Sequence, residues 1–183
     1  MVGSTLPLTA TTPLRGARGV VGRTFTAALA VFALDGLYVV TIFAVLLHRT
    51  TAERIFQGIA FAAIGPAAVM GGWRTAALGL FLHFCVALGW SAVWAVIYEH
   101  SSSLRRAVST TSRALAVGAL YGAAIWLAME LAVLPLTHAK PGPLFTVSGM
   151  FVLLAHLLVI GPPIVLVVRR RGLRTSTGTV WRP

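Results

Sequence analysis

The chain has 183 residues, 57% of them hydrophobic and only 10% charged, with a mean hydropathy of +0.87. A soluble domain of this length needs far more surface charge, so the composition excludes one and points to a single domain embedded in a lipid bilayer. The net charge of +11 is almost wholly arginine. These arginines flank apolar runs instead of forming one face of a polar domain, which suits anionic headgroups at the arginine clusters and argues against nucleic acid as a partner.

Residues 1–23 are rich in Thr, Gly and Arg without a periodic apolar pattern, and read as a disordered cytoplasmic tail. The first apolar run, 24–47, is longer than the ~7–15-residue core of a secretory signal and is followed by no cleavage site, so it reads as a retained span. Runs at 75–97, 114–136 and 144–168 complete a set of four. Each reaches the ~20 residues that a helix needs to cross a hydrocarbon core of ~30 Å. Helix is the expected conformation, because lone strands leave backbone groups unpaired in lipid. The expected fold is all-α: a four-helix transmembrane bundle over residues 24–168, ending in a basic cytoplasmic tail at 169–183.

Between spans one and two, residues 52–63 read as a short helix whose polar part is Glu53, Arg54 and Gln57, broken off by Gly65-Pro66 and Gly71-Gly72. An interfacial or re-entrant helix on the outer surface is expected there; the alternative is a fifth span. Arginine placement favours the former. Arg15, Arg18 and Arg23, then Arg105, Arg106 and Arg113, then Arg169, Arg170, Arg171, Arg174 and Arg182 fall on one side, against Arg49, Arg54, Arg74 and Lys140 on the other. The positive-inside rule then puts both termini in the cytoplasm. Trp73, Tyr98 and Trp181 lie near the expected interfaces, where amphipathic aromatics collect.

Asp35, His83, Glu130 and His156 sit inside these apolar runs. An ionisable group in lipid costs roughly 2.5–3.5 kcal/mol on insertion scales, so it normally faces the bundle interior or a wet cavity. Rise per residue puts all four in the middle or outer half of their spans. Each also falls on a helical stripe. These are Ala28, Val31, Asp35, Tyr38 and Ile42; Gly79, His83, Ala87 and Trp90; Ala119, Ala123, Trp126 and Glu130; and Gly149, Leu153, His156, Ile160 and Pro163. Gly118 and Gly122 flank the third stripe, and with Gly79 are the expected sites of close helix packing. Pro162 and Pro163 are expected to kink the fourth span.

The chemistry of the cluster supports three readings. Buried carboxylates and histidines hydrogen-bond across helices and fix register. Carboxylate–histidine chains also serve as proton or ion relays; because four spans are few for a transport path, that reading calls for a homo-oligomer, the chain being one subunit of a proton-coupled transporter. Finally, His83 and His156 at similar depth suit the two faces of a haem b iron or a shared transition metal, with Asp35 or Glu130 as third ligand or orienter. The sole cysteine, Cys85, rules out an internal disulfide or a CxxC motif. No phosphate-binding glycine loop, hydrolase motif or zinc-ligand spacing occurs, so the chain reads as non-enzymatic, with no cofactor as the leading expectation.

The residues 59–65, Gly71-Gly72, Ala76-Ala77-Leu78-Gly79-Leu80, His83-Phe84, Tyr121-Gly122, Met129, Val133-Leu134-Pro135-Leu136 and His156 ahead of Gly161-Pro162 carry a resemblance. Over about 50–168 the chain resembles a group of small bacterial four-span inner-membrane proteins with no assigned activity. Where that group has asparagine beside Met129, this chain has Glu130. The resemblance implies a compact helical bundle in a bacterial inner membrane and no substrate.

Overall fold

The computed structural model describes residues 13–140 and 146–169, with residues 13–17 described by backbone alone. The described residues form helices and no strands. Helix α1 runs Pro13–Val39 and widens into i→i+5 turns over Val40–Leu46. It therefore begins well inside the segment expected as a disordered tail; residues 1–12 lie outside the described residues. Proline at the first helical position is pre-organised for the turn and lacks only an N–H that would go unpaired anyway. Nothing between Pro13 and the apolar run breaks the helix.

Side-chain caps set most of the other starts. Thr51 accepts from Arg54 N at 3.2 Å to open α2 (Ala52–Ile64), and Ser101 accepts from Leu104 N at 3.1 Å to open α5 (Ser102–Ala107). Thr110 accepts from Arg113 N at 3.3 Å to open α6 (Thr111–Ala128), and Thr146 accepts from Gly149 N at 3.1 Å to open α7 (Val147–Ala155). Each satisfies one of the amide donors that a helix start leaves over. Helices α3 (Ala67–Met70), α4 (Gly72–His100) and α8 (Gly161–Val168) complete the set.

Four helical stretches are long and apolar enough to cross a membrane: Arg18–Leu46, Gly72–His100, Thr111–Leu136 and Val147–Val168. They coincide with the expected spans, each extending or trimming them by a few residues. The segment 51–72 is not a fifth. Helix α2, with 13 residues, reaches only about 20 Å at ~1.5 Å per residue, and α3 is a single turn. Gly65 and Gly72 carry the positive φ angles of 64° and 56° at which the chain reverses between them.

Helix α2 crosses the first half of α4 at Gly79, where an added Cβ would stand 1.8 Å from the Phe56 carbonyl oxygen. Gln57 fastens the crossing, its Nε2 donating to Gly72 O at 3.1 Å. The far end of α2 is held by His138 N donating to Ala62 O at 3.1 Å.

An equally close approach brings α6 against the fourth span. An added Cβ would meet His156 O at 1.8 Å from Gly122, Pro162 Cα at 2.5 Å from Gly118, and Gly118 O at 2.0 Å from Gly161. The buried face of α6 is accordingly Ala114, Gly118, Gly122 and Ile125. This shifts the inward face one residue from the expected Ala119–Ala123–Trp126 stripe, because the small residues seat a neighbour's backbone and not its side chains. Trp94, Tyr98, Ile125, Ile164, Val165 and Val168 form the apolar core beside it.

Candidate functional site

Asp35 is buried on α1, on the same face as Ala28 and Val31, which are also buried. That face meets α4, and Asp35 Oδ2 stands 3.6 Å from His83 Nε2, within ion-pair range and just beyond hydrogen-bond reach. The imidazole is walled by aromatics: Phe32, just before Asp35 on α1, at 5.5 Å between ring centres and Phe56 of α2 at 6.5 Å. Phe32 also packs edge-on against Phe84 at 5.7 Å. Helix α2 thus helps to wall in the polar pair.

Asp35 and His83 face a cavity of about 150 Å³, whose other walls include Trp90 of α4, Ile125 of α6, Met129 and His156. All four spans contribute to it. His156 begins the wide turn His156–Ile160, and its Nδ1 lies 2.8 Å from Val152 O. A carbonyl only accepts, so Nδ1 carries the proton in that bond and Nε2 is left as the neutral ring's acceptor. The wide turn lies just ahead of Pro162 and Pro163, which donate no N–H and whose rings crowd the carbonyls four residues back, at Leu158 and Val159. The expected interruption of span four is therefore a relaxed turn that begins at His156, followed by a fresh helix start at Gly161.

The structure gathers Asp35, His83 and His156 around one space and leaves Glu130 outside it. Glu130 comes after Met129 in the wide turn Met129–Val133, upstream of Pro135, and its carboxylate does not line the cavity. Its Oε2 is buried without a hydrogen-bond partner within the protein. Of the expected four-residue cluster, Asp35, His83 and His156 line this cavity, and Glu130 follows Met129, which lines it too.

Among the described residues no three His, Cys, Asp or Glu side chains come close enough to hold a metal ion. The cavity that His83 and His156 both line measures about 150 Å³, and Asp35 fronts His83 Nε2 there. Space of this size suits a few waters, each taking about 30 Å³ of liquid volume.

Other polar groups continue along the buried face of α4. Ser91 Oγ and Trp94 Nε1 are buried with no hydrogen-bond partner within the protein, as is His83 Nε2. Tyr121 of α6 donates from its hydroxyl to Trp90 O at 2.7 Å beside them. The signal for these residues was present in the sequence, since Ser91 and Trp94 continue the stripe of Gly79, His83 and Ala87 at helical spacing. Comparison with protein-family models, curated protein sequences and solved structures yields no match.

Proposed function

We propose that this is a non-enzymatic multi-pass protein of a bacterial inner membrane, with both termini cytoplasmic and a proton-responsive centre at Asp35 and His83. The observation that carries the reading is the 3.6 Å approach of His83 Nε2 to Asp35 Oδ2 at the wall of a space large enough for water. Away from bulk water, the charge on one partner governs the charge on the other, so the pair gains and loses protons as a unit. His156 faces the same space and offers a second proton-accepting nitrogen. The buried, unpartnered Ser91 Oγ and Trp94 Nε1 extend the polar path along α4, since buried polar atoms without protein partners are where ordered water bridges. Net transport along such a path rests on a homo-oligomer, in which a neighbouring copy completes the walls that four spans leave open.

The test is reconstitution of the full chain in vesicles loaded with a pH-sensitive dye. The expected result is a flux driven by a pH gradient, above that of empty vesicles, which Asp35→Asn and His83→Ala abolish while His100→Ala leaves it intact. A wild-type protein that moves no protons, with Asp35→Asn altering stability alone, makes the cluster a structural hydrogen-bonding device.

A further inference from the structure

Helix α4 ends at His100, and the chain turns through α5 into α6 around a hollow of about 770 Å³. Arg105 and Arg106 of α5 and Arg169 beyond α8 line it, together with Ser109, Thr110 and Thr111. The arginines are tethered around this hollow. Arg105 Nη1 donates to Tyr98 O at 3.1 Å and Glu99 O at 2.7 Å, so the guanidinium is braced against the end of α4. Arg169 donates from Nη1 to Val108 O at 3.1 Å and from Nη2 to Thr111 Oγ1 at 2.9 Å. Arg106 Nη2 donates to Ser103 Oγ at 3.2 Å. A guanidinium has five N–H donors in a fixed fork, so these bonds orient each head and leave donors over.

Among the described residues, the charge of this hollow has no acidic counterpart. There are only four acidic residues. Asp35 faces His83, Glu53 accepts from Gln57, Glu99 pairs with Arg23 at 2.7 Å, and Glu130 lies in the third span. None comes within ion-pair distance of Arg105, Arg106 or Arg169. The first turn of α6 opens into the same hollow at Thr111 and adds positive potential to it. Orientation of a membrane protein requires basic residues near this boundary, but it does not require them to be braced around a concavity. Its volume lies within the roughly 300–1,000 Å³ of small-molecule sites.

We propose that this hollow binds a phosphate-bearing anion through the free donors of Arg105, Arg106 and Arg169, as guanidinium forks bind phosphate oxygens. An acidic phospholipid headgroup and a soluble phosphate share that chemistry, and the test separates them.

The full chain, in micelles of an uncharged detergent, is titrated with dioctanoyl phosphatidylglycerol and with the phosphatidylcholine of equal chain length, and bound lipid is counted by native mass spectrometry. Inorganic phosphate is then added as competitor. Saturable phosphatidylglycerol binding, weakened about tenfold in Arg105→Gln and Arg106→Gln and unchanged in Arg113→Gln, is expected. Arg113 has its side chain exposed and outside the hollow, so it carries the same charge change without the site. Displacement by millimolar inorganic phosphate supports the site with a soluble anion as its occupant; resistance to it supports the site with a lipid as occupant. Equal weakening in Arg113→Gln, equal binding of phosphatidylcholine, or no saturable binding overturns the proposal. Arg106 is exposed and, among the described residues, its side chain bonds to Ser103 alone, so Arg106→Gln keeps the test decisive if the Arg105 variant misfolds.

Discussion

Two helix crossings divide the work in this bundle. Where α6 meets the fourth span, glycines bring backbone to backbone: the positions of Gly118, Gly122 and Gly161 have no room for even a methyl group. Where α1 meets α4, the contact is made by side chains, with Phe25 edge-on to Phe84 at 5.8 Å, Phe32 edge-on to Phe84 at 5.7 Å, and Asp35 facing His83. A backbone contact of the first kind has one arrangement. A contact of rings and polar tips tolerates small rotations and can adapt to a change of charge. The polar pair sits on the adjustable crossing, while the rigid one carries the wall residue His156 on its own contact surface, since His156 O is the atom that Gly122 receives.

The largest expected effect comes from breaking the rigid crossing. Gly122→Leu places a side chain where His156 O already lies, forcing the two helices apart. Overpacking of this kind typically costs about 1–3 kcal/mol, and more where the obstacle is backbone. The matched control is Gly89→Leu, because Gly89 has nothing within 4 Å of an added Cβ. Unfolding in mixed micelles, followed by tryptophan fluorescence, should separate the two by at least that amount. If Gly122→Leu is as stable as Gly89→Leu, the glycine crossing is not what fixes the fourth span.

Asp35→Asn probes the adjustable crossing. Asparagine keeps the shape and a hydrogen-bonding tip but cannot take up charge. Interhelical polar contacts in membranes average about 0.6 kcal/mol and reach about 1.7, so stability should change by no more than roughly that while proton flux is lost. The comparison sharpens if Gly122→Leu does the reverse: a large loss of stability, with residual flux in proportion to the folded fraction. Should Asp35→Asn instead destabilise as strongly as Gly122→Leu, the polar pair is a structural lock and the division between the crossings fails.

The sequence announces some of these features and hides others for physical reasons. The four spans are legible because hydrocarbon thickness dictates their length, whereas the capped starts at Thr51, Ser101, Thr110 and Thr146 are hidden among the many Ser and Thr residues that sit equally well in loops. Asp35, His83 and His156 stand out because charge in lipid demands an interior address. The inward face of α6 is less legible. In a membrane both faces of a helix are apolar, so the hydrophobic period that marks a core face in water vanishes, and the glycines that define the contact contribute nothing to it. The placing of Glu130 is less legible for a related reason: the sequence stripe is extended at 3.6 residues per turn from Trp126, yet the helix widens over Met129–Val133. The wide turns before Pro135 and Pro162 have a cause written in the prolines, but the extent of each relaxation depends on neighbours that the chain order does not show.

Tyr121→Phe should register between the extremes. It removes the hydroxyl that donates to Trp90 O at 2.7 Å and leaves the ring packed on Trp94 at 4.8 Å between centres. The lost bond is worth about 0.5–1.5 kcal/mol in a partly buried setting. Because the bond ties α6 to α4 beside the cavity, it joins the rigid pair of helices to the adjustable one. A loss confined to this range, with proton flux retained, means the tie supports the cavity wall without taking part in proton movement; lost flux with near-normal stability makes the hydroxyl part of the path.

The smallest effect belongs to the end of the adjustable crossing, where Arg23 Nη2 meets Glu99 Oε1 at 2.7 Å. The side chains retain 21% and 37% of their exposure, and ion pairs this open to solvent are worth about 0.2–1 kcal/mol. Glu99→Gln is the cleaner probe, because Arg23 makes further contacts and the Glu99 carbonyl that braces Arg105 is untouched by the change. Wild type and Glu99→Gln should unfold within about 1 kcal/mol of each other at low salt and converge near 1 M salt, where the screening length falls to about 3 Å. A larger, salt-resistant loss means that this end of α1 and α4 is pinned as firmly as the glycine crossing. In that case adjustment at Asp35 and His83 has to come from the side chains alone, not from movement of the helices.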